Sequence, residues 1–553
     1  MTDGWQWSNV YSSPNRGLGE PDLELHRGPR PVHRNHPTVS RLPLSCARRA
    51  VPDGFRSSFR NHSAPHPQPV SPSLKHDEVP HITIIRPVKG VEAGLYECLA
   101  SAFRVAYPKS KLTIYLCVAS TDDPAYPVLQ NLLSDFPGFD AKVMVEEDDP
   151  LLHGTSGNVN NLGPNPKIRN MSRAYREAKG DVVWIVDCNV WIGTGSAGRM
   201  VDKLFGFQPN GASTTPYKFV HQLPLVFDIE APEAAEEQQG LLSRDPSAGG
   251  HPPPTSLLDH GGRLEEMFMS TTHAKFYSAI NTVCIAPCIV GKSNMFRKSH
   301  LDRFTNPAQN PILTSSAASR GRGLDFFSSY ICEDHLIGDL IFRSHAPGFK
   351  NHGLVFGEVA IQPMSGMSVG AYVARRVRWL RVRKWTVLAA TLVEPGIEPL
   401  LCSLHLSFAL TTVPWFRERV GIPPTWGAMA AIWLSAVTAW MLVDRWVSNK
   451  LRRLQSVEVD ENTPSFARGS SRRGGIKQRP FLEWLAAWLG RELLALPVWT
   501  WAVLLGTTVS WRGKQFRVRM DMSVVEMGGE SHVPSTPAGE TSRPNSRNKD
   551  RLD

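Results

Sequence analysis

An α/β fold with a mostly parallel sheet, followed by membrane helices, is predicted by three features of the 553-residue chain. Short continuous apolar runs alternate with helix-like segments between residues 80 and 190. Acidic residues fall just past the ends of those runs. Apolar segments long enough to enter a bilayer begin only near Leu400.

Taken in order, residues 1–80 hold 12 Pro and 9 Arg and no apolar run fit for a signal peptide or anchor, so 1–79 is expected to be disordered. Folded structure is predicted to begin with a buried-type strand, His81 to Ile85, closing at Arg86-Pro87. A helix over Tyr96 to Ala106 follows, then strands at Leu112 to Val118 and Val182 to Val186. Unbroken apolar strands alternating with helices belong to a parallel sheet covered on both faces. Ligands of such sheets bind beyond the carboxyl ends of the strands, where Asp122, Asp123 and Asp187 lie. This catalytic domain is expected to span 80–385. Its Glu-, Pro- and Gly-rich stretch 229–262 reads as a surface insertion, with a lid over the site as the competing reading.

A membrane region is expected over 386–520. Pro395 to Pro414 is long enough to cross only with help from its flanks. Trp426 to Val443 would make ~27 Å of helix, near the hydrocarbon thickness, and Leu493 to Ser510 is similar. Several Trp flank these segments, as interfacial aromatics do. The intervening loop 444–480 carries nine Lys or Arg and is expected to face the cytosol. Three crossings would put Arg512, Lys514, Arg517 and Arg519 opposite the catalytic domain, so one segment is expected to be re-entrant or interfacial. The end, 521–553, reads as a disordered tail.

Net charge is +10. A nucleic-acid partner is set aside because the basic residues sit beside apolar segments and in the tails, where a membrane-facing surface accounts for them. The eight cysteines are scattered and only Cys284 and Cys288 lie close together, which suits reduced thiols and completes no zinc site.

Four chemical elements occur in one order: Asp122-Asp123-Pro124, Asp187-Cys188-Asn189, Glu333-Asp334 and Arg375-x-x-Arg378-Trp379. Sugar transfer from a nucleotide donor needs a carboxylate for the nucleoside, another for a metal on the diphosphate, a base for the acceptor and a cation for the leaving group. Each element alone has a plainer reading. Asp before Pro is common turn chemistry, and Asp187-Cys188-Asn189 could be a strand cap. Acids are favoured at a helix N-terminus, and a basic helix can simply lie on a membrane. Together they support catalysis. Asp187 and Asn189 offer oxygen to a hard cation such as magnesium or manganese, Asn189 being neutral where a second carboxylate would bind more strongly. Asp334 is the expected base, since an acidic pair raises the pKa of one member. Arg375 and Arg378, three apart on a helix, are expected to point together at a phosphate, with Trp379 walling the acceptor site.

The wording around these residues resembles the ceramide glucosyltransferase family over about residues 80–525. It includes Arg86-Pro87-Val88-Lys89-Gly90, Asp122-Asp123-Pro124-Ala125, Asn165-Pro166-Lys167-Ile168, His221-Gln222-Leu223-Pro224, Glu394-Pro395 and Val509-Ser510-Trp511-Arg512. The resemblance implies a GT-A nucleotide-sugar domain with a mixed, mostly parallel sheet, facing the cytosol at a Golgi or ER membrane. It also implies transfer of glucose from UDP-glucose to the primary hydroxyl of ceramide, with inversion, and use of Mg2+ or Mn2+. Asp123, Asp187 and Asp334 match the family's three essential aspartates, and Arg375, Arg378 and Trp379 its basic-tryptophan motif. Lys89, Lys167, His221 and His273 are expected to bind substrate, the two histidines by their match to family histidines. The family normally begins with a membrane helix. Here a Pro/Arg-rich segment stands in its place and family-like wording resumes near Ser71-Pro72-Ser73, so 1–70 is expected to be a mispredicted first exon or a shortened isoform. Two other readings remain: a processive polysaccharide synthase, which shares the four elements but usually has more crossings, and a non-catalytic membrane lipid-binding protein.

Overall fold

The computed structural model describes residues 71–76, 78–153, 162–229, 259–394, 399–511 and 513–527. Most of the expected insertion, the first 70 residues and the end of the tail lie outside the described residues.

Seven strands form one sheet: β1 (Ile82–Pro87), β2 (Leu112–Val118), β3 (Asp140–Val145), β4 (Val182–Val186), β5 (Tyr217–Asp228), β6 (Ser293–Arg297) and β7 (Lys350–Met364). Their order is β3-β2-β1-β4-β6-β5-β7. Neighbours are parallel except β6, which runs against both β4 and β5. The result is the mixed, mostly parallel sheet expected.

Every residue of β1, β2 and β4 is buried. The pleat sends alternate side chains to opposite faces. Ile82, Ile84, Leu116 and Trp184 join Leu95, Leu99 and Val128 in one core, while Ile85, Tyr115 and Val183 join Ile168, Met171 and Phe296 in the other. Each fully buried aliphatic or aromatic side chain contributes roughly 1.5–3 kcal/mol, which is why these strands are mostly apolar, with Thr83, Arg86 and Thr113 as their buried polar or charged residues.

The expected strands at 112–118 and 182–186 match as read. The first begins at Ile82, and the helix after it is only Leu95–Ala100, because Ala106 N–H donates to the Thr194 carbonyl at 2.7 Å and draws the chain out of helix. Three ranges differ from expectation. Pro72–Lys75 is a short 3-10 turn docked on the helix Ser196–Phe205, where Ser73 N–H donates to Asp202 at 2.8 Å. Gly261 and Gly262, placed in the insertion, open the buried helix Gly261–Phe268. Val524–Glu526, placed in the tail, is a strand.

The membrane region also differs. The helix Trp426–Arg452 is long and apolar enough to cross a bilayer, and its apolar window is wholly unburied. Pro399–Thr412 and Pro414–Val420 would make one more span only as a pair bent by 68°. Trp433 Nε1 donates to the Leu400 carbonyl at 3.0 Å, joining these segments side by side. Phe408, Trp415, Trp426, Leu434 and Trp446 stand exposed on them, an apolar surface of the kind that meets lipid.

Leu493 to Ser510 is not one segment. The helix is Phe481–Val503, with Arg491 and Glu492 buried inside it, and the chain then enters β8 (Thr508–Trp511). Its Trp484 and Trp488 pack on Met267, and its Val498 and Ala502 on Val377 and Leu380, so it lies along the catalytic domain. β8, β9 (Lys514–Val518) and β10 (Val524–Glu526) form a small antiparallel sheet, tied to the catalytic domain by Val524 N–H donating to Ser329 O at 2.9 Å. Lys514 and Arg517 lie in this small sheet and Arg519 directly follows β9, so all three stand beside the catalytic domain. The loop expected to start at 444 starts after Arg452, and its Phe466 and Ala467 are core residues packed with Leu223 and Leu225.

Candidate active site

Asp187 directly follows β4, and its N–H donates to the Lys292 carbonyl at 3.1 Å. Register explains the pairing. Val186 lies opposite Ser293 across the antiparallel β4/β6 pair, so Asp187 and Lys292 are the next residues out. The Lys292 ammonium sits 3.0 Å from Asp187 Oδ2 and 3.4 Å from Asn189 Oδ1.

Lys167 approaches from the other side, on the first turn of the helix Pro166–Arg176. Asn165 caps that helix, accepting from Lys167 N–H at 2.8 Å and Ile168 N–H at 3.1 Å. Pro166 at the first helical position costs no hydrogen bond there. The Asn165 amide also donates to Glu333 at 3.0 Å. The Lys167 ammonium thereby reaches three carboxylates: Asp187 at 3.1 Å, Glu333 at 3.1 Å and Asp334 at 3.2 Å.

Burial would lower the pKa of Lys167, but the charges of Asp187, Asp334 and Glu333 raise it well above the usual lysine range. Burial pulls Asp187 upward, and Lys167 and Lys292 outweigh it, holding this carboxylate well below the usual range. Glu333 is pushed up to about 7 by burial and by Asp334 beside it. Asp334 is also raised, by burial foremost. The two acids open the helix Glu333–Arg343, so the expected helix-terminus preference holds as well. They differ in access: the Glu333 side chain is 2% exposed and that of Asp334 is 24% exposed. Gly291 lines the same spot, and a Cβ there would lie 1.8 Å from Asp334 Oδ2.

These residues border a cavity of about 650 Å³, a size typical of small-molecule sites. Its lining includes the polar or charged Lys89, Asp187, Asn189, Lys167, Lys292 and Asp334, the apolar or aromatic Phe276, Tyr277, Ile280, Pro287 and Ile289, and Arg375, Arg378, Trp379 and Trp511. His273 also lines it, at the end of a π-helical turn, Met269–His273. Such turns are frequent at functional sites. Burial pushes His273 down to about 3, so its ring is neutral.

Three expected site residues are tied to partners that the sequence did not name. Arg375 is held through its Nε by the fully buried Glu265 at 2.9 Å, with its guanidinium over the Trp379 ring, and it lines the same cavity as Arg378. His221 is fully buried behind the cavity, hydrogen-bonded through Nδ1 to the Tyr277 hydroxyl at 2.5 Å. It reaches the site only through Tyr277, which stacks on His273. Asp123 lies outside the cavity lining, where its Oδ1 accepts from Gly90 N–H and Ala125 N–H, both at 2.9 Å. It shapes the left-handed turn at Gly90 (φ +65°), next to the cavity residue Lys89.

Sequence reasoning did not single out Lys292, Gly291, Asn165 or Tyr277 as site residues. Asn165 before Pro166 carried a helix-start signal. Lys292 and Gly291 carried none, since only strand pairing brings them to Asp187 and Asp334.

A divalent ion would find the oxygens of Asp187 and Asn189 here, with the Glu92 carboxylate accepting from the Asn189 amide beside them. These oxygens already surround ammonium groups, so the pocket suits a cation. Among the described residues no cluster of three His, Cys, Asp or Glu could hold a metal by itself. The donor diphosphate would have to supply further ligands.

A mostly parallel sheet with acids beyond its strand ends, and one cavity lined by basic, acidic and apolar side chains, suits a glycosyltransferase with a GT-A-type domain. The chain belongs to glycosyl transferase family 21, whose model matches residues 54–235 and 309–524. It is similar to the ceramide glucosyltransferase of Pyricularia oryzae, 56% identical over 86% of this chain and 91% of that one. The ceramide glucosyltransferase of Gibberella zeae is 51% identical over 90% of this chain and 94% of its own. Among solved structures, a mannosyltransferase from Pyrobaculum calidifontis in complex with GDP-Man and Mn2+ matches at 15% identity and a TM-score of 0.31, covering 75% of this chain and 95% of that one.

Proposed function

We propose that the protein transfers glucose from UDP-glucose to the primary hydroxyl of ceramide, with inversion, at the cytosolic face of a Golgi or ER membrane. The observation that carries this reading is the position of Asp334. It is a raised-pKa, part-exposed carboxylate on a cavity lined by both ionic and apolar side chains.

In this mechanism Asp334 takes the proton of the acceptor hydroxyl as its oxygen attacks the anomeric carbon. The bond from that carbon to the diphosphate oxygen breaks on the opposite side, so configuration inverts in one step. Lys167 fixes Asp334 and Glu333 and adds positive charge beside the departing diphosphate. Asp187 and Asn189 would hold a divalent ion, which when bound draws negative charge from the diphosphate. Arg378 adds positive charge for the departing UDP, and Trp379 walls the acceptor side. The apolar lining of the cavity takes the start of the lipid chains, and the exposed apolar faces of Pro399–Thr412 and Trp426–Arg452 seat the domain at the bilayer surface.

The test is incubation of membranes carrying the protein with labelled UDP-glucose and a short-chain ceramide. Lipid-soluble glucosylceramide that disappears in Asp334→Asn supports donor, acceptor and base together. Polymer formed from the donor without ceramide would overturn the reading in favour of a polysaccharide synthase.

A further inference from the structure

Asp187 is met by two ammonium groups, one on each oxygen: Lys167 on Oδ1 at 3.1 Å and Lys292 on Oδ2 at 3.0 Å. Lys167 divides its charge among Asp187, Glu333 and Asp334, whereas Lys292 pairs with Asp187. Lys292 also contacts Asn189 Oδ1, at 3.4 Å, so its charge sits on the same oxygens that a divalent ion would use. It is held there by the β4/β6 register and by its own N–H donating to Val290 O at 2.8 Å, and it lines the cavity. Because Asn189 is neutral, the site attracts a divalent ion less than a paired-carboxylate site would, and a resident ammonium competes with the ion on closer terms. Lysine is a compact charge on a flexible stem, suited to moving between a carboxylate and a phosphate.

We propose that Lys292 is a diphosphate-binding residue that shares Asp187 and Asn189 with the divalent ion. Without the ion its ammonium rests on these oxygens and still offers charge to a nucleoside diphosphate. When the ion takes them, the ammonium turns to the diphosphate. Lys292 thus makes donor binding partly independent of metal. The proposal rests on reading the cavity as a nucleotide-sugar site.

The test uses the full chain in lipid nanodiscs and two titrations that need no turnover: UDP in EDTA by calorimetry, and Mn2+ without nucleotide by electron paramagnetic resonance. Lys292→Met should lose about tenfold or more in UDP affinity in EDTA, and should bind Mn2+ about tenfold more tightly once the competing charge is gone. Lys292→Arg should bind UDP near the wild-type level. Should Lys292→Met fail to fold, Lys292→Gln, which retains amide hydrogens for Asp187 and Asn189 without the charge, carries the same two readings. Unchanged UDP affinity in EDTA, or unchanged Mn2+ affinity, overturns the proposal and leaves the proposed function standing. A wild-type protein that binds no UDP with or without Mn2+ overturns both.

Discussion

Lys167 and Asp334 stand 3.2 Å apart although 167 positions separate them in the chain. One is fixed by the Asn165 cap, the other by the first turn of its own helix, and the Lys167 ammonium also serves Asp187 and Glu333. Lys167→Met would leave three carboxylates with less compensation in a mostly dry pocket. Breaking a buried pair this way costs roughly 3–5 kcal/mol. Chemical denaturation should show that loss. The acid limb of the rate profile should also move to higher pH, because Asp334 and Glu333 lose the charge that lowers their pKa values.

Asp334→Asn should reduce turnover by about 10²–10⁴, the usual contribution of a general base, while UDP still binds. Equal turnover would remove Asp334 from the mechanism.

Gly291→Ala tests the same atom from outside. The added methyl would meet Asp334 Oδ2 at 1.8 Å, so the carboxylate must turn away. Gly291 is not among the glycines with positive φ, so alanine suits its backbone. Turnover should fall at least tenfold with UDP affinity and thermal midpoint near wild type; a drop in stability alone would contradict this.

Asn165→Ala removes a helix cap worth about 1 kcal/mol and the amide that donates to Glu333. The expected outcome is a modest fall in thermal midpoint with a larger fall in turnover, since Lys167 begins the helix that Asn165 caps.

His352 sets an acid limit on stability. Burial pushes it down to about 3, partly countered by the hydrogen bond to Gly338 O, against 6.5 in an unfolded chain. The folded state holds the ring neutral, so its contribution is complete above about pH 6.5 and is lost as pH falls toward 3. At pH 5 the cost is ~2 kcal/mol. The thermal midpoint should fall between pH 7.5 and 5, and fall less in His352→Gln, whose amide can still donate to Gly338.

How far the site was legible depended on the kind of signal. Asp187 and Asp334 announced themselves because one sits where a strand ends and the other where a helix begins, places that apolar patterning marks. The roles expected of Arg375 and His221 could not be checked against spacing, because their partners Glu265 and Tyr277 come from other elements. The segment Leu493 to Ser510 misled because hydropathy weighs apolar content and does not see that Val498 and Ala502 pack against protein.

By itself the sequence determined the local and the chemical: which runs are strands, that the sheet is mostly parallel, that acids lie past its strand ends, and which family wording they carry. Periodicity and residue chemistry are properties of neighbouring positions, so they are written along the chain. Only the tertiary structure decided that Lys292 meets Asp187, that Gly291 abuts Asp334, that Asp123 shapes a turn outside the cavity, and that the final strands return to the catalytic domain. Those facts follow from the antiparallel entry of β6 and from long-range packing, in which distance along the chain carries no information about distance in space.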